Sequence, residues 1–363
     1  MPFQKEPPFS HGQAAQTAVL YCNLGTPDAP TASAVRRYLA EFLSDHRVVE
    51  IPRLIWLLIL HGIILRFRPA KSAAKYASIW TPEGSPLKIW TEKQAALLEQ
   101  QLQAMGLHVR VRWAMRYGSQ SIPSQLDALK AEGVTRVLLL PAYPQYSATT
   151  TASLFDAVYA WAASTRAIPE LRFINHYHDH SSYIAALQAG VEAHWQAHGR
   201  PDVLLMSFHG VPERTLHLGD HYHCECFKTA RLLAERLGLT KDQYKVTFQS
   251  RLGRAKWLEP YTEPTLIAMG QAGVGRVDVI CPGFTSDCLE TLEEINMEAR
   301  HAFLEAGGKA FHYIPCLNDG APGIDALAAV AHQHLGGWPV DAPPDALALE
   351  HSRQAALALG AQR

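Results

Sequence analysis

The chain has 363 residues, 48% hydrophobic and 18% charged, with 33 lysines and arginines against 34 acids. That length and balance describe an ordinary globular protein, too long for one small core, and predict two domains. A net charge of -1 provides no field to attract nucleic acid, and no zinc-finger or RNA-binding signature occurs, so nucleic acid is excluded as an expected partner.

The N-terminal MPFQKEPPFSHGQ has neither the apolar core of a signal peptide nor the Arg-rich pattern of a transit peptide, so a cytoplasmic location is expected. Short apolar runs rich in β-formers then recur at 18–23, 109–113, 136–141, 171–175, 203–208, 245–249, 277–281 and 311–314. Helical patterns alternate with them at 92–105, 122–132, 183–198, 229–237, 261–271 and 291–306, several closed by glycine. Strand alternating with helix predicts an α/β fold with two similar domains, each built on a four-stranded parallel sheet flanked by helices, with a cleft between them. The expected boundaries are 14–178 for the first domain, 179–335 for the second, and 336–363 for a segment packing back on the first.

The first half has an excess over the second at about residues 40–85, a candidate lip. It contains the run Leu54 to Leu65, bounded by Arg53 and by Arg66, Arg68, Lys71 and Lys75. Twelve residues cannot span a bilayer. The run suits either a helix buried in the core or, through residues 53–68, contact with a membrane surface or an amphiphilic substrate.

No strand is followed by a G-x-G-x-x-G turn, a P-loop or a G-x-S-x-G elbow, which argues against dinucleotide binding, nucleotide hydrolysis and serine hydrolase chemistry. The run 202–208, DVLLMSF, ends abruptly at His209. Parallel sheets bind ligands at the C-terminal ends of their strands, so His209 stands where chemistry is expected. After the strand at 277–281 comes PGFTSDCLETLEEINME, a loop running into a helix. On an ideal α-helix Asp287, Glu290, Glu294 and Glu298 fall within an arc of about 80°. A capping residue, a capping box and solvated glutamates would also explain this stretch. Its start at the sheet edge that carries His209 favours a path for a divalent cation, with mutually repelling acids able to take up protons.

Aromatic residues gather after the strands: Tyr143, Tyr146, Phe208, Trp257 and Phe284. Together they could line a flat apolar slot, with Arg116, Arg53 or Lys88 for acid groups at its rim. The six cysteines are scattered and read as buried thiols in a reducing compartment. Cys224 and Cys226, with His221 and His223, make a poor zinc site, because one-residue spacing does not suit a tetrahedral ion and no second pair follows.

Four motifs, PEGSPLKIWTEKQ, LPAYPQYSATTTAS, SFHGVPER followed by Gly219-Asp220, and CPGFTSDCLETLEEI, together resemble the ferrochelatase family, in its order and over nearly the whole chain. The resemblance implies two Rossmann-like, chelatase-type domains and insertion of Fe(II) into protoporphyrin IX to give protohaem, the last step of haem biosynthesis. It implies catalytic roles for His209 and Glu290, metal handling by His209, Glu290, Asp287 and Glu294, and a porphyrin pocket of Tyr143, Phe284, Trp257, Leu24 and Tyr76. Arg116 would make a propionate or structural contact, and the residues around 54–68 would form the pocket lip. Some members carry a [2Fe–2S] cluster, but here Ala148 stands in the PQYS loop and no cysteine follows Cys316, so a bacterial type with no cluster or other prosthetic group is expected, as a monomer. Peripheral contact with the inner face of the membrane would fit the lip. A carrier that binds porphyrin without changing its metallation, or a chelatase for another metal or tetrapyrrole, would share these features; the long lip favours protoporphyrin over coproporphyrin.

Overall fold

The computed structural model describes residues 3–251, 253 and 255–362. Its strands are β1 (Gln16–Gly25), β2 (Val109–Tyr117), β3 (Val134–Pro141), β4 (Glu170–Phe173), β5 (Val203–His209), β6 (Tyr244–Gln249), β7 (Arg276–Ile280) and β8 (Ala310–Tyr313). They form two four-stranded sheets, ordered β2-β1-β3-β4 and β6-β5-β7-β8, with every pairing parallel. All eight apolar runs are strands, and the helices lie between them as the alternation requires. β2 continues four residues past its expected end, because its register with β1 holds as far as Gly25 opposite Tyr117. The approach there is so close that a Cβ at Gly25, whose φ is 116°, would stand 2.0 Å from the Tyr117 carbonyl oxygen. Only glycine fits that position.

The strands read as unbroken apolar runs because both faces of each sheet are covered. In β1, Val19 and Tyr21 point to one face and Ala18, Leu20 and Cys22 to the other; β3 divides Leu138 and Leu140 from Val137 and Leu139, and β5 divides Leu204, Met206 and Phe208 from Val203 and Leu205. The first set from both sheets joins one core. Helices Pro86–Ala104, Ser181–His198, Tyr222–Leu237 and Ala321–Leu335 contribute Leu98, Leu187, Leu233 and Leu327 to it. The remaining faces close separate cores, one per half, around Trp161 and Phe303. The C-terminal segment lies against the first sheet: Val340 accepts from the His108 N–H (2.7 Å), and Trp338 donates to Glu170 (2.7 Å).

The lip is helical, Arg53–Ile59 and Leu65–Ile79 being joined by a π-helical turn at Leu60–Ile64. Leu60 and Leu65 anchor it, fully buried with Val35, Leu39 and Tyr76. Leu54, Leu58 and Phe67 are 82%, 77% and 71% exposed, which rules out the reading of this run as a core helix. Among the described residues, no helix is long and apolar enough to cross a membrane.

Candidate active site

His209 is the last residue of β5, the strand next to both β6 and β7. Its Nδ1 lies 2.6 Å from the Gly210 carbonyl oxygen, which can only accept. Nδ1 therefore donates, and Nε2 is the ring atom left to face the site. The following turn is tight: a Cβ at Gly210 would meet the Gln249 carbonyl at 2.8 Å and the Trp257 ring at 3.1 Å. The glycine lets β5 and β6 run together to their ends, and the Gly210 N–H donates to Gln249 (2.8 Å).

Facing this edge, residues Glu290–Ala299 wind as a π-helix rather than the expected α-helix. Such winding is rare and occurs often at functional sites. Glu294 Oε1 accepts from the Ser250 N–H (2.6 Å) and Oε2 from the Ser250 hydroxyl (2.5 Å). Ser250 has φ 67°, in the left-handed region that a non-glycine residue enters at a cost, and this turn aims both donors at one carboxylate. Gln249 Nε2 fixes the Glu290 carbonyl at 2.8 Å. Burial raises the Glu294 carboxyl above its ordinary range, the neighbouring Glu290 charge adds to that, and Ser250 and His209 oppose it. His209, Glu290 and Glu294 thus share one electrostatic environment with a carboxylate inclined to hold a proton. Further along, Glu293 and Glu298 both pair with Lys75 of the lip, at 3.0 and 2.8 Å.

Asp287 does not join this row. The winding begins only after it, so the ideal-helix arc does not apply. Its carboxylate is buried, accepting from Tyr313 (2.5 Å), Thr291 (3.1 Å) and Asn318 (2.6 Å). Nor does it cap a helix by the usual backbone bond. Phe208 is wholly core, Tyr146 stacks on His221, and Phe284 packs on the second half's own core beside Cys281 and Cys316. The flat slot built from all five aromatics is therefore not formed. Leu24 and Tyr76 do come together with Leu289, at the start of the π-helix, in the lip cluster. Burial holds the Tyr76 phenol well above its ordinary range, reinforced by the nearby Glu290 charge. Tyr143 Oη and Trp257 Nε1 are buried without hydrogen-bond partners, and such groups are normally satisfied. Arg116 is engaged by Asp45 (2.6 Å) and Ser153 (2.8 and 2.9 Å), a structural cluster that also holds Tyr117.

A ferrochelatase family model matches residues 16–335. The chain belongs to the ferrochelatase family. It is 70% identical, over the full length of both chains, to a ferrochelatase of Polaromonas sp. strain JS666, and 66% identical to one of Methylibium petroleiphilum over 98% of each. Among solved structures, SirB from Bacillus subtilis with Fe3+ superposes with a TM-score of 0.51 at 12% identity, covering 88% of this chain and 96% of that one, a likeness of fold. The chain is thus a metal chelatase enzyme of haem biosynthesis, and its substrates are a porphyrin and a metal ion.

The ferrochelatase motifs interlock. Gln94, from PEGSPLKIWTEKQ, accepts from Tyr21 (2.9 Å) and Ser286 (2.7 Å) and donates to the carbonyls of Thr285 and Asn318 (both 2.9 Å). Thr285 donates to the Ala142 carbonyl (3.0 Å). These buried bonds tie the loop leading into Glu290 to the edge of the other sheet. Asp220 likewise accepts from Ser147 (3.1 Å) and the Ala148 N–H (2.8 Å) of the PQYS loop. Pattern reading gave no reason to single out Ser250 or Gln249, whose roles come from strand neighbours, and it read Lys75 only as part of the basic fringe of the lip, not as the partner of a glutamate more than 200 residues away.

Proposed function

We propose that the chain inserts Fe(II) into protoporphyrin IX, forming protohaem with release of two protons. The observation that carries this reading is the pairing of His209, whose Nδ1 is held by the Gly210 carbonyl so that Nε2 faces the site, with the row of Glu290 and Glu294. A porphyrin directs its nitrogen lone pairs and protons into the ring plane, so it must bend before a metal can enter, and binding energy supplies the distortion. His209 Nε2 takes up the two pyrrole protons one at a time and passes each to solvent, while the carboxylates of Glu290 and Glu294 hold the incoming ion and release it to the ring nitrogens. Leu24, Tyr76 and Trp257 flank the macrocycle, Tyr143 lies behind them, and the reaction needs no resident prosthetic group. The apolar side of the lip, with Leu54, Leu58 and Phe67 outermost, rests on the inner face of the membrane, from which an apolar porphyrin would arrive at a cytoplasmic monomer.

The test is an anaerobic assay with protoporphyrin IX and Fe(II), following loss of porphyrin fluorescence and growth of the haem spectrum. The expected outcome is turnover that His209→Ala lowers by about 10³-fold. Porphyrin that binds yet stays metal-free with Fe(II), Zn(II) and Co(II) would refute it in favour of a carrier, and faster turnover of coproporphyrin would correct the substrate.

A further inference from the structure

A second set of imidazoles and a carboxylate lies outside the groups assigned to metal insertion. His176 and His178 sit in the segment that follows β4 and leads from the first half to helix Ser181–His198. Glu225 lies in the first turn of helix Tyr222–Leu237, and His221 immediately precedes that helix. Glu225 Oε1 is 2.6 Å from His176 Nδ1 and 3.0 Å from His221 Nε2; Oε2 is 3.2 Å from His178 Nδ1 and accepts from the Tyr146 N–H at 2.7 Å. His178 and Glu225 are only 5% and 4% exposed.

Two features separate this cluster from an ordinary hydrogen-bonded carboxylate. Among the described residues, His178 Nδ1 is buried with no geometrically formed hydrogen bond, although a Glu225 oxygen stands 3.2 Å away. Three imidazoles and the Tyr146 N–H also converge on one carboxylate, whose two oxygens offer about four lone-pair positions in all. One ligand atom each from His176, His178 and Glu225 lie within 4.8 Å of one another. Ligands about 2.0–2.2 Å from a tetrahedral zinc stand roughly 3.3 Å apart, so small rotations close the shell. The contrasting cluster is His194, Asp278 and His312, where Arg276 already holds Asp278 through bonds of 2.9 and 3.0 Å and Trp195 through one of 3.1 Å. There a guanidinium occupies the place of a cation. Lys228, three residues along the same helix from Glu225, pairs instead with Asp179 (2.5 Å).

We propose that His176, His178 and Glu225 bind one first-row divalent cation of the zinc type, with His221, 3.0 Å from Glu225, turning in as the fourth ligand, as a structural site separate from the substrate metal. Imidazole with a single carboxylate suits zinc, and a complete protein ligand set leaves no open position for chemistry. The ion would fasten the segment between the halves to the second half. Through Tyr146 it would also fasten the PQYS loop at the edge of the first sheet. The Cys224 and Cys226 pair is not part of this site: Cys226 is buried and Cys224 exposed, on other faces of the helix.

The experiment uses the full chain carrying His209→Ala and Glu290→Gln, which silences the substrate site, stripped with chelator and titrated with Zn(II) against a competing dye. One equivalent should bind, raise the melting temperature, and be taken up by Co(II) with the intense visible bands of a tetrahedral ion. Adding His176→Ala or His221→Ala, both at solvent-accessible positions, should weaken binding at least about tenfold, and His178→Ala should abolish it. Failure of the parent to bind, or undiminished binding in the His176 and His221 variants, would overturn the proposal, even if His178→Ala fails to fold.

Discussion

The two halves carry the same sheet, with strand orders that match position for position, yet their C-terminal edges are equipped differently. At the first edge, the charged groups are tied up: Asp45 accepts from Arg116, Tyr117 and Ser153 at 2.5–2.8 Å, and Tyr21 is locked to Gln94, with only the neutral Tyr143 phenol left unpartnered among the described residues. Among the described residues, the second edge gives His209 Nε2 no hydrogen-bond partner, and it holds Glu294 beside Glu290 with its pKa raised by burial. One fold therefore supplies a rigid wall and a reactive wall. The difference lies in whether each charged group has been given a fixed counter-charge.

The largest effect expected from breaking the rigid wall comes from Asp45→Asn. Asp45 is 4% exposed in its side chain, and removing its charge leaves Arg116 unpaired, at a cost on the order of 3 kcal/mol near neutral pH. Burial opposes its ionisation, but Ser153, the Arg47 N–H, Tyr117 and Arg116 together hold the carboxyl below 3.8. A depressed carboxylate contributes stability above its unfolded pKa and loses it as pH falls through the folded one. Denaturant unfolding should thus show the gap between parent and variant closing below about pH 3.8, while the folded fraction keeps its turnover number. A fall in turnover per folded molecule would mean that the first edge takes part in chemistry.

A smaller effect is expected at the lip. Replacing Leu54 and Leu58 by serine removes exposed apolar surface with little loss of stability. Sedimentation with anionic vesicles should show binding about tenfold weaker, or about 1.4 kcal/mol. Unchanged vesicle binding would remove the membrane role from this surface.

The sequence disclosed these features unequally, for physical reasons. All eight strands were legible because sheets covered on both faces need continuous apolar runs, and His209 because the run Val203 to Phe208 ends there without a polar transition. Glu290 and Glu294 kept their common face, since a four-residue separation places side chains close together in either kind of helix. Asp287 did not, because the pattern cannot show where winding starts or that Tyr313 and Asn318 will claim a carboxylate. His176, His178 and Glu225 were invisible as a set: two come from a linking segment and one from a helix about 50 residues later, and only the packing of the two halves brings them together. The apolar lip was equally consistent with a core helix until the surrounding helices left Leu54 and Leu58 facing outward.

The central claim, that the second edge performs the chemistry and the first holds the porphyrin, is tested most directly with Glu290→Gln. Porphyrin affinity would be taken from fluorescence quenching, and metal insertion from a single anaerobic turnover of the same sample. Affinity is expected within about threefold of the parent, with insertion slowed by at least about 10²-fold. Insertion at the parent rate, or a loss explained wholly by weaker porphyrin binding, would contradict it.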